Sequence, residues 1–303
     1  MKTKKDVYSG IEIKLKKHLI LGASGLLGAK LLNFFPQGHG TYFGNKLSTT
    51  DNMSFLDTTD AESFRYLLGK IKPDVVINCV GMTNVDLCEQ FPEKCWELNC
   101  WQSLILAQEC RAQSIKYVHI STDHFLNLSG VKLKEHDIPT ALNQYGLSKL
   151  NAEKFILLAN KESLIVRSNF FHFNPNTPRT FLDILIKNIR NEKTSYSFSD
   201  VFFTPISTFL LATYIEKLVD IDFSGIINIS GSETLSKFEF HDAVLREINT
   251  LTGFHLPALL DSIKLHASRP SYMALDNNLL QNLLGIKVPS TYDMIKLELQ
   301  KSK

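Results

Sequence analysis

The segment Gly22-Ala23-Ser24-Gly25-Leu26-Leu27-Gly28 constrains the fold more than any other stretch of the chain. It follows a short apolar run, His18 to Leu21, and opens a helical stretch, Leu26 to Phe35, that Pro36 stops. Three glycines at such a junction meet separate demands. Gly22 permits a sharp turn, Gly25 lets backbone approach a pyrophosphate, and Gly28 lets the helix close onto the strand. The amides and dipole at the helix start then favour phosphate. The loop predicts a dinucleotide site on Gly22, Ser24, Gly25, Leu26, Leu27 and Gly28.

Beyond the loop, short β-rich runs alternate with helical stretches. The runs are Thr41 to Phe43, Val75 to Asn78, Tyr117 to Ser121 and Leu164 to Arg167. The helices are Ala61 to Lys70, preceded by Thr58, Thr59 and Asp60, then Pro92 to Gln113, then Tyr145 to Asn160. In the last of these, Leu150, Lys154, Leu157 and Leu158 are spaced to give an apolar and a polar face. This order predicts an α/β protein whose residues 18–168 form a Rossmann-type, doubly wound parallel sheet that binds NAD(P). After Arg167 the alternation loosens at Asn174-Pro175-Asn176-Thr177-Pro178. Residues 169–303, with helices at Thr180 to Asn191, Ser207 to Val219 and Ser236 to Ile248 and a strand at Ile226 to Ile229, are expected to form mainly a smaller α/β substrate-binding lobe. Some of their segments return to the first unit. Residues 1–17, with Lys2, Lys4, Lys5, Lys14, Lys16 and Lys17, read as a flexible basic arm with no signal-peptide core.

The charge balance of 33 basic and 31 acidic residues provides no field for a nucleic acid or a membrane surface, so small-molecule partners are expected. No segment approaches the length of a membrane span, and a soluble, cytoplasmic protein is expected; a homodimer is left open. Cys79, Cys88, Cys95, Cys100 and Cys110 crowd one region without a CxxC pair. That argues against a disulfide framework, and it favours buried thiols over a zinc site on Cys88, Cys95 and Cys100, so no metal is expected.

Tyr145-Gly146-Leu147-Ser148-Lys149 places a phenol and an ammonium four apart, on one helix face. A tyrosine titrates near pH 10, so it exchanges protons readily at neutral pH only where a cation steadies the phenolate. Lys149 supplies that cation and reaches a nicotinamide ribose. Ser121-Thr122-Asp123 ends the fourth strand, where the Thr122 hydroxyl can donate to a carbonyl oxygen that gains charge, while Ser121 makes local backbone bonds. At the second strand, Tyr42-Phe43-Gly44-Asn45-Lys46 offers no acid to an adenosine ribose, and Lys46 suits a 2′-phosphate, so NADPH is favoured over NADH. Asp57 could cap the helix beginning at Ala61.

In these motifs, in Asn78-Cys79-Val80-Gly81-Met82-Thr83-Asn84-Val85-Asp86, Glu97-Leu98-Asn99 and Ile165-Val166-Arg167-Ser168, and in Gly225 to Gly231 and Arg269-Pro270, the chain resembles the dTDP-4-dehydrorhamnose reductases. These are extended short-chain dehydrogenases with the GxxGxxG loop. The resemblance implies Thr122, Tyr145 and Lys149 as catalytic residues, and Val80, Gly81 and Asp57 at the cofactor, which would be NADPH or NADH. It implies Thr83, Asp123, His124, Asn169 and Arg269 at a nucleotide-sugar substrate, with Arg269 on the diphosphate, in dTDP-rhamnose biosynthesis. His124 and the Ser168 to Phe173 stretch depart from the family pattern, which puts the sugar in question. Two other readings stay open. One is a non-catalytic NADP-binding regulatory subunit resembling the methionine adenosyltransferase beta subunit; the other is a nucleotide-sugar epimerase or dehydratase.

Overall fold

The computed structural model describes residues 15–44, 52–127, 130–173, 180–249 and 254–301. Its centre is a parallel sheet of β1 (His18–Leu21), β2 (Gly38–Tyr42), β3 (Met53–Phe55), β4 (Val75–Asn78), β5 (Lys116–Ile120), β6 (Leu164–Arg167) and the later strand Gly225–Asn228. The spatial order is β3-β2-β1-β4-β5-β6, with Gly225–Asn228 at the far edge. Strands buried on both faces require apolar residues in succession. In β1, Leu19 and Leu21 enter the core on one face while Ile20 enters the core on the other; in β4, Val76 is set against Val75 and Ile77 in the same way. The chain reverses its direction of travel across the sheet at β1, which pairs with both β2 and β4. The crevice outside the carboxyl ends of those two strands is where such sheets bind ligands.

The helices that matter for the site are α1 (Leu26–Phe34), α2 (Ala61–Ile71), α3 (Val85–Gln90), α4 (Pro92–Trp96), α5 (Gln102–Ala112) and α6 (Gln144–Ala159). The expected helix from Pro92 to Gln113 is interrupted by a π-turn, Glu97–Trp101, in which the Gln102 amide donates to the Glu97 carbonyl. In α6 the expected apolar face fails at Leu158, which is 80% exposed. Its inner face instead carries Lys149 and Glu153, both buried, because it lies against strand ends that supply polar partners.

Beyond β6 the chain builds α7 (Phe181–Arg190), α8 (Thr208–Asp220) and α9 (Lys237–Glu247), with three two-stranded ladders. These pair Phe170–Phe171 with Ile206–Ser207, Ser195–Phe198 with His255–Ala258, and Phe202–Phe203 with Leu235–Ser236. α8 returns to the sheet layer, where Phe209 meets Phe34 of α1 edge-on at 5.9 Å. A single cluster of buried side chains runs from Ile20 through Leu185 and Val244 to Ile295, so the later elements share their core with one face of the sheet.

Two expectations about the amino-terminal arm and the cysteines meet the structure here. Lys16 pairs with Asp220 at 2.8 Å and the Lys17 amide donates to Asp74, so ordered contacts begin inside the expected arm; residues 1–14 lie outside the described residues. The five cysteines are free thiols, and all but Cys79 are buried. Among the described residues no helix is long and apolar enough to cross a membrane.

Candidate active site

Gly22 sits at φ +75°, a left-handed conformation that favours glycine, and its carbonyl accepts the Gly25 amide at 2.9 Å. A Cβ on Gly28 would stand 2.3 Å from that same carbonyl, so α1 rides directly on the turn. Gly25 is the N-cap of α1 and supplies no side-chain bond to the first amides, and the first turn carries no acid. The positive helix end therefore opens without an internal counter-group. It forms one end of a cleft of about 460 Å³, lined there by Gly25, Leu26, Leu27 and Gly28, with Cys79, Val80 and Gly81 from the end of β4. An uncapped helix start walled by glycine fits a dinucleotide pyrophosphate. Gly22 and Ser24 support this wall without lining it.

The adenosine end is less complete. Lys46 lies outside the described residues. Asp57 does not cap α2: its carboxylate accepts the Thr59 amide and hydroxyl at 2.9 and 2.7 Å, while Asp60 accepts the Glu62 and Ser63 amides. The cap falls on Asp60 because it immediately precedes the first helical residue, which brings those amides within reach of its side chain.

The same cleft gathers Thr122, Tyr145 and Lys149. Burial pushes the Tyr145 phenol up to about 12, a rise that the nearby Thr122 side chain opposes and the Asp123 carboxylate reinforces. Lys149 donates to the Ile120 carbonyl at 2.7 Å and to Nε2 of His119 at 2.9 Å. Burial pulls the ammonium down to about 8 against the pull of Glu153. Burial, and then Lys149, hold His119 well below the ordinary imidazole value, so its ring is neutral and accepts from the ammonium.

Ser121 behaves differently from expectation. Its hydroxyl donates to Oε1 of Glu153 at 2.5 Å rather than to local backbone, because Glu153 stands one helical turn beyond Lys149 and faces the strand end. Glu153 also accepts from Nε and Nη2 of Arg167, the latter at 2.7 Å, and both side chains are buried.

Asn99 is a residue that periodicity does not single out. Turned inward by the π-turn, it accepts the Met82 amide at 2.7 Å and donates to the Met82 carbonyl and the Ser148 hydroxyl at 3.1 Å each. It thereby ties the loop after β4 to α6. Asn99 was marked only through the Glu97-Leu98-Asn99 motif, whereas His119 and Lys237 carry no motif, and only contact across the fold reveals them.

Of the expected substrate residues, Thr83, Asp123 and Asn169 line the cleft, and Asn169 donates to Asp123 at 2.8 Å. Burial pushes Asp123 up to about 6, with Lys237 opposing. His124 sits outside the lining, bonded through Nε2 to Asn143 at 3.0 Å and edge-on to the Tyr145 ring. Burial, with Arg269 and Lys237, pulls it down to about 3, so it is neutral at physiological pH. Arg269 is away from the cleft wall, paired with Asp86 at 3.1 Å and donating to the Ala267 carbonyl.

A glycine loop on the switch point of a parallel sheet, with a Thr-Tyr-Lys cluster at the same strand ends, defines the fold and site of the extended short-chain dehydrogenase/reductase class. Residues 16–303 match the RmlD substrate binding domain family, and the chain belongs to it. Among curated relatives, the probable low-salt glycan biosynthesis reductase Agl14 of Haloferax volcanii is 27% identical over 282 residues, covering 90% of this chain and 94% of its own. Methionine adenosyltransferase 2 subunit beta of Rattus norvegicus is 25% identical over 291 residues, covering 92% and 86%. Among solved structures, the dTDP-4-dehydrorhamnose reductase of Bacillus anthracis in complex with NADP superposes with a TM-score of 0.82 at 22% identity, covering 94% of this chain and 99% of its own.

Proposed function

We propose that this protein uses NADPH to reduce the keto group of a nucleotide-linked deoxysugar, with Tyr145 as the proton donor. The observation that carries the reading is the convergence of Thr122, Tyr145 and Lys149 in the one cleft that also holds the open start of α1. The dinucleotide, when bound, supplies the hydride. The Thr122 hydroxyl, which lines the same cleft as Tyr145, orients the substrate carbonyl, and the Tyr145 hydroxyl delivers its proton to the oxygen as charge develops there. A phenol raised to about 12 is a poor acid by itself. Lys149 on the same helix face is the cation that lowers the cost of the phenolate, and its bonds to Ile120 and His119 hold it in position.

A regulatory role, as a subunit of another enzyme, would need the cofactor loop but not a proton-donating cluster; the intact cluster favours an enzyme. Purified protein mixed with NADPH and a panel of nucleotide-linked ketosugars tests the proposal through loss of NADPH absorbance and identification of the alcohol. NADPH binding without turnover on any member of the panel would support the regulatory reading. Turnover without net NADPH consumption would point to an epimerase or dehydratase.

A further inference from the structure

Lys237 is the first residue of α9 and stands where a cation is poorly placed. The amino-terminal end of a helix carries partial positive charge, so an ammonium there is disfavoured. The acid of that first turn, Glu239, is turned back to accept the Ser236 amide at 2.7 Å in a capping box. Among the described residues no carboxylate comes within ion-pair distance of Lys237. Its ammonium lies instead 3.3 Å from the centre of the Phe203 ring. Burial pulls it down to about 8, and Asp123 across the cavity opposes that fall. A partly desolvated cation on an aromatic face at a positive helix end calls for an anion.

The surrounding space has room for one. Lys237 lines two adjoining cavities, of about 160 and 280 Å³. The smaller shares Asn169, Phe170 and Thr180 with the catalytic cleft, and the larger is walled by Phe181, Tyr196 and Phe198. Through these shared walls the cavities follow one another from the cleft at Tyr145, past the Lys237 ammonium, to an aromatic compartment, a sequence that suits a sugar, a phosphate group and a flat base in turn. Arg269 is already committed to Asp86.

We propose that Lys237 is the residue of the later lobe that binds the diphosphate of a nucleoside diphosphate, and so anchors the substrate; this rests on the nucleotide-sugar reading above. The test is calorimetric titration of the full-length protein with dTDP, UDP, GDP and CDP, with the corresponding nucleosides, and with NADPH. Wild-type protein is expected to bind at least one of the diphosphates. Lys237→Met and Lys237→Gln should each weaken that binding by about tenfold or more, as expected for one charge-assisted contact, while Lys237→Arg retains it. Affinity for NADPH, and for the nucleoside without phosphates, should be unchanged. Equal diphosphate affinity in wild type and in both neutral variants overturns the assignment and leaves the nucleotide-sugar reading standing. Failure of wild-type protein to bind any of the four diphosphates overturns both. Two neutral variants are used so that a folding defect in one does not decide the outcome.

Discussion

Arg167→Met isolates the buried ion pair beneath the catalytic strand end. The substitution removes the guanidinium contacts to Glu153 at 3.0, 3.1 and 2.7 Å and leaves the carboxylate with the Ser121 hydroxyl alone. It also takes the guanidinium away from the Phe125 ring, 5.5 Å from its centre. Stranding one partner of a buried pair costs about 3–5 kcal/mol. With an unfolding entropy of about 2.1 cal/mol/K per residue, a chain of this length loses about 1.6 °C in Tm per kcal/mol, so Tm should fall by roughly 5–8 °C. The double variant Glu153→Met with Arg167→Met replaces both charges by apolar volume. It leaves chiefly the unpaired Ser121 hydroxyl, worth about 1–3 kcal/mol, and should recover much of the loss. Thermal unfolding followed by circular dichroism measures the wild type, the single variants Arg167→Met and Glu153→Met, and the double variant. A single variant that loses less than about 2 °C, or a double variant whose loss equals the sum of the two singles, would show that the pair does not act as one buried unit.

Four further outcomes follow from the site. Tyr145→Phe should lower turnover by about 10²- to 10⁴-fold while NADPH affinity holds, and a variant as fast as wild type removes Tyr145 from the proton transfer. Gly25→Val should abolish NADPH binding, because Gly25 lines the cleft at the helix start; unchanged affinity in a folded variant would refute the loop as the phosphate site. Lys149 is held down to about 8, so raising the pH from 7 to 9 removes its proton in the free protein. NADPH affinity should then fall by up to about tenfold, whereas Lys149→Arg should show a flat profile; a wild-type profile as flat as that of the variant contradicts the ribose contact. Arg269→Ala should leave both KM for the nucleotide sugar and NADPH affinity unchanged, because Arg269 is held by Asp86 and the Ala267 carbonyl; a rise in KM of about tenfold would instead place Arg269 on the substrate diphosphate.

The parts of the fold that were legible in the sequence are those governed by neighbours along the chain. The glycine loop, β4 and β6 depend on local turn chemistry and on apolar runs, and β4 and β6 fall on their expected residues. The adjacency of Tyr145 and Lys149 was legible because spacing alone fixes them to one helix face. The inner face of α6 was not, since a buried Lys149 or Glu153 is stabilised by His119, Ser121 and Arg167, which are distant in sequence. Strand β3 was missed because Met53–Phe55 is too short for alternation to register. The π-turn was missed because its one extra residue leaves the apolar pattern of Pro92 to Gln113 readable as a single helix. Lys237 carries no motif; its surroundings come from segments distant in sequence, among them residues 169–172, residues 196–198 and Phe203.

That π-turn makes chain length a parameter of the site. A turn closed from Glu97 to Gln102 takes up one residue more than the α-helix on either side, so α4 and α5 are out of phase by about 100°. Removing any one residue between 97 and 101 would bring the two helices into phase and rotate Asn99 away from Met82 and Ser148, even if each remaining side chain were conserved. Substitution within this segment alters one contact at a time, whereas deletion resets the angular alignment of everything upstream. Variation in length is therefore excluded here more strictly than variation in residue type.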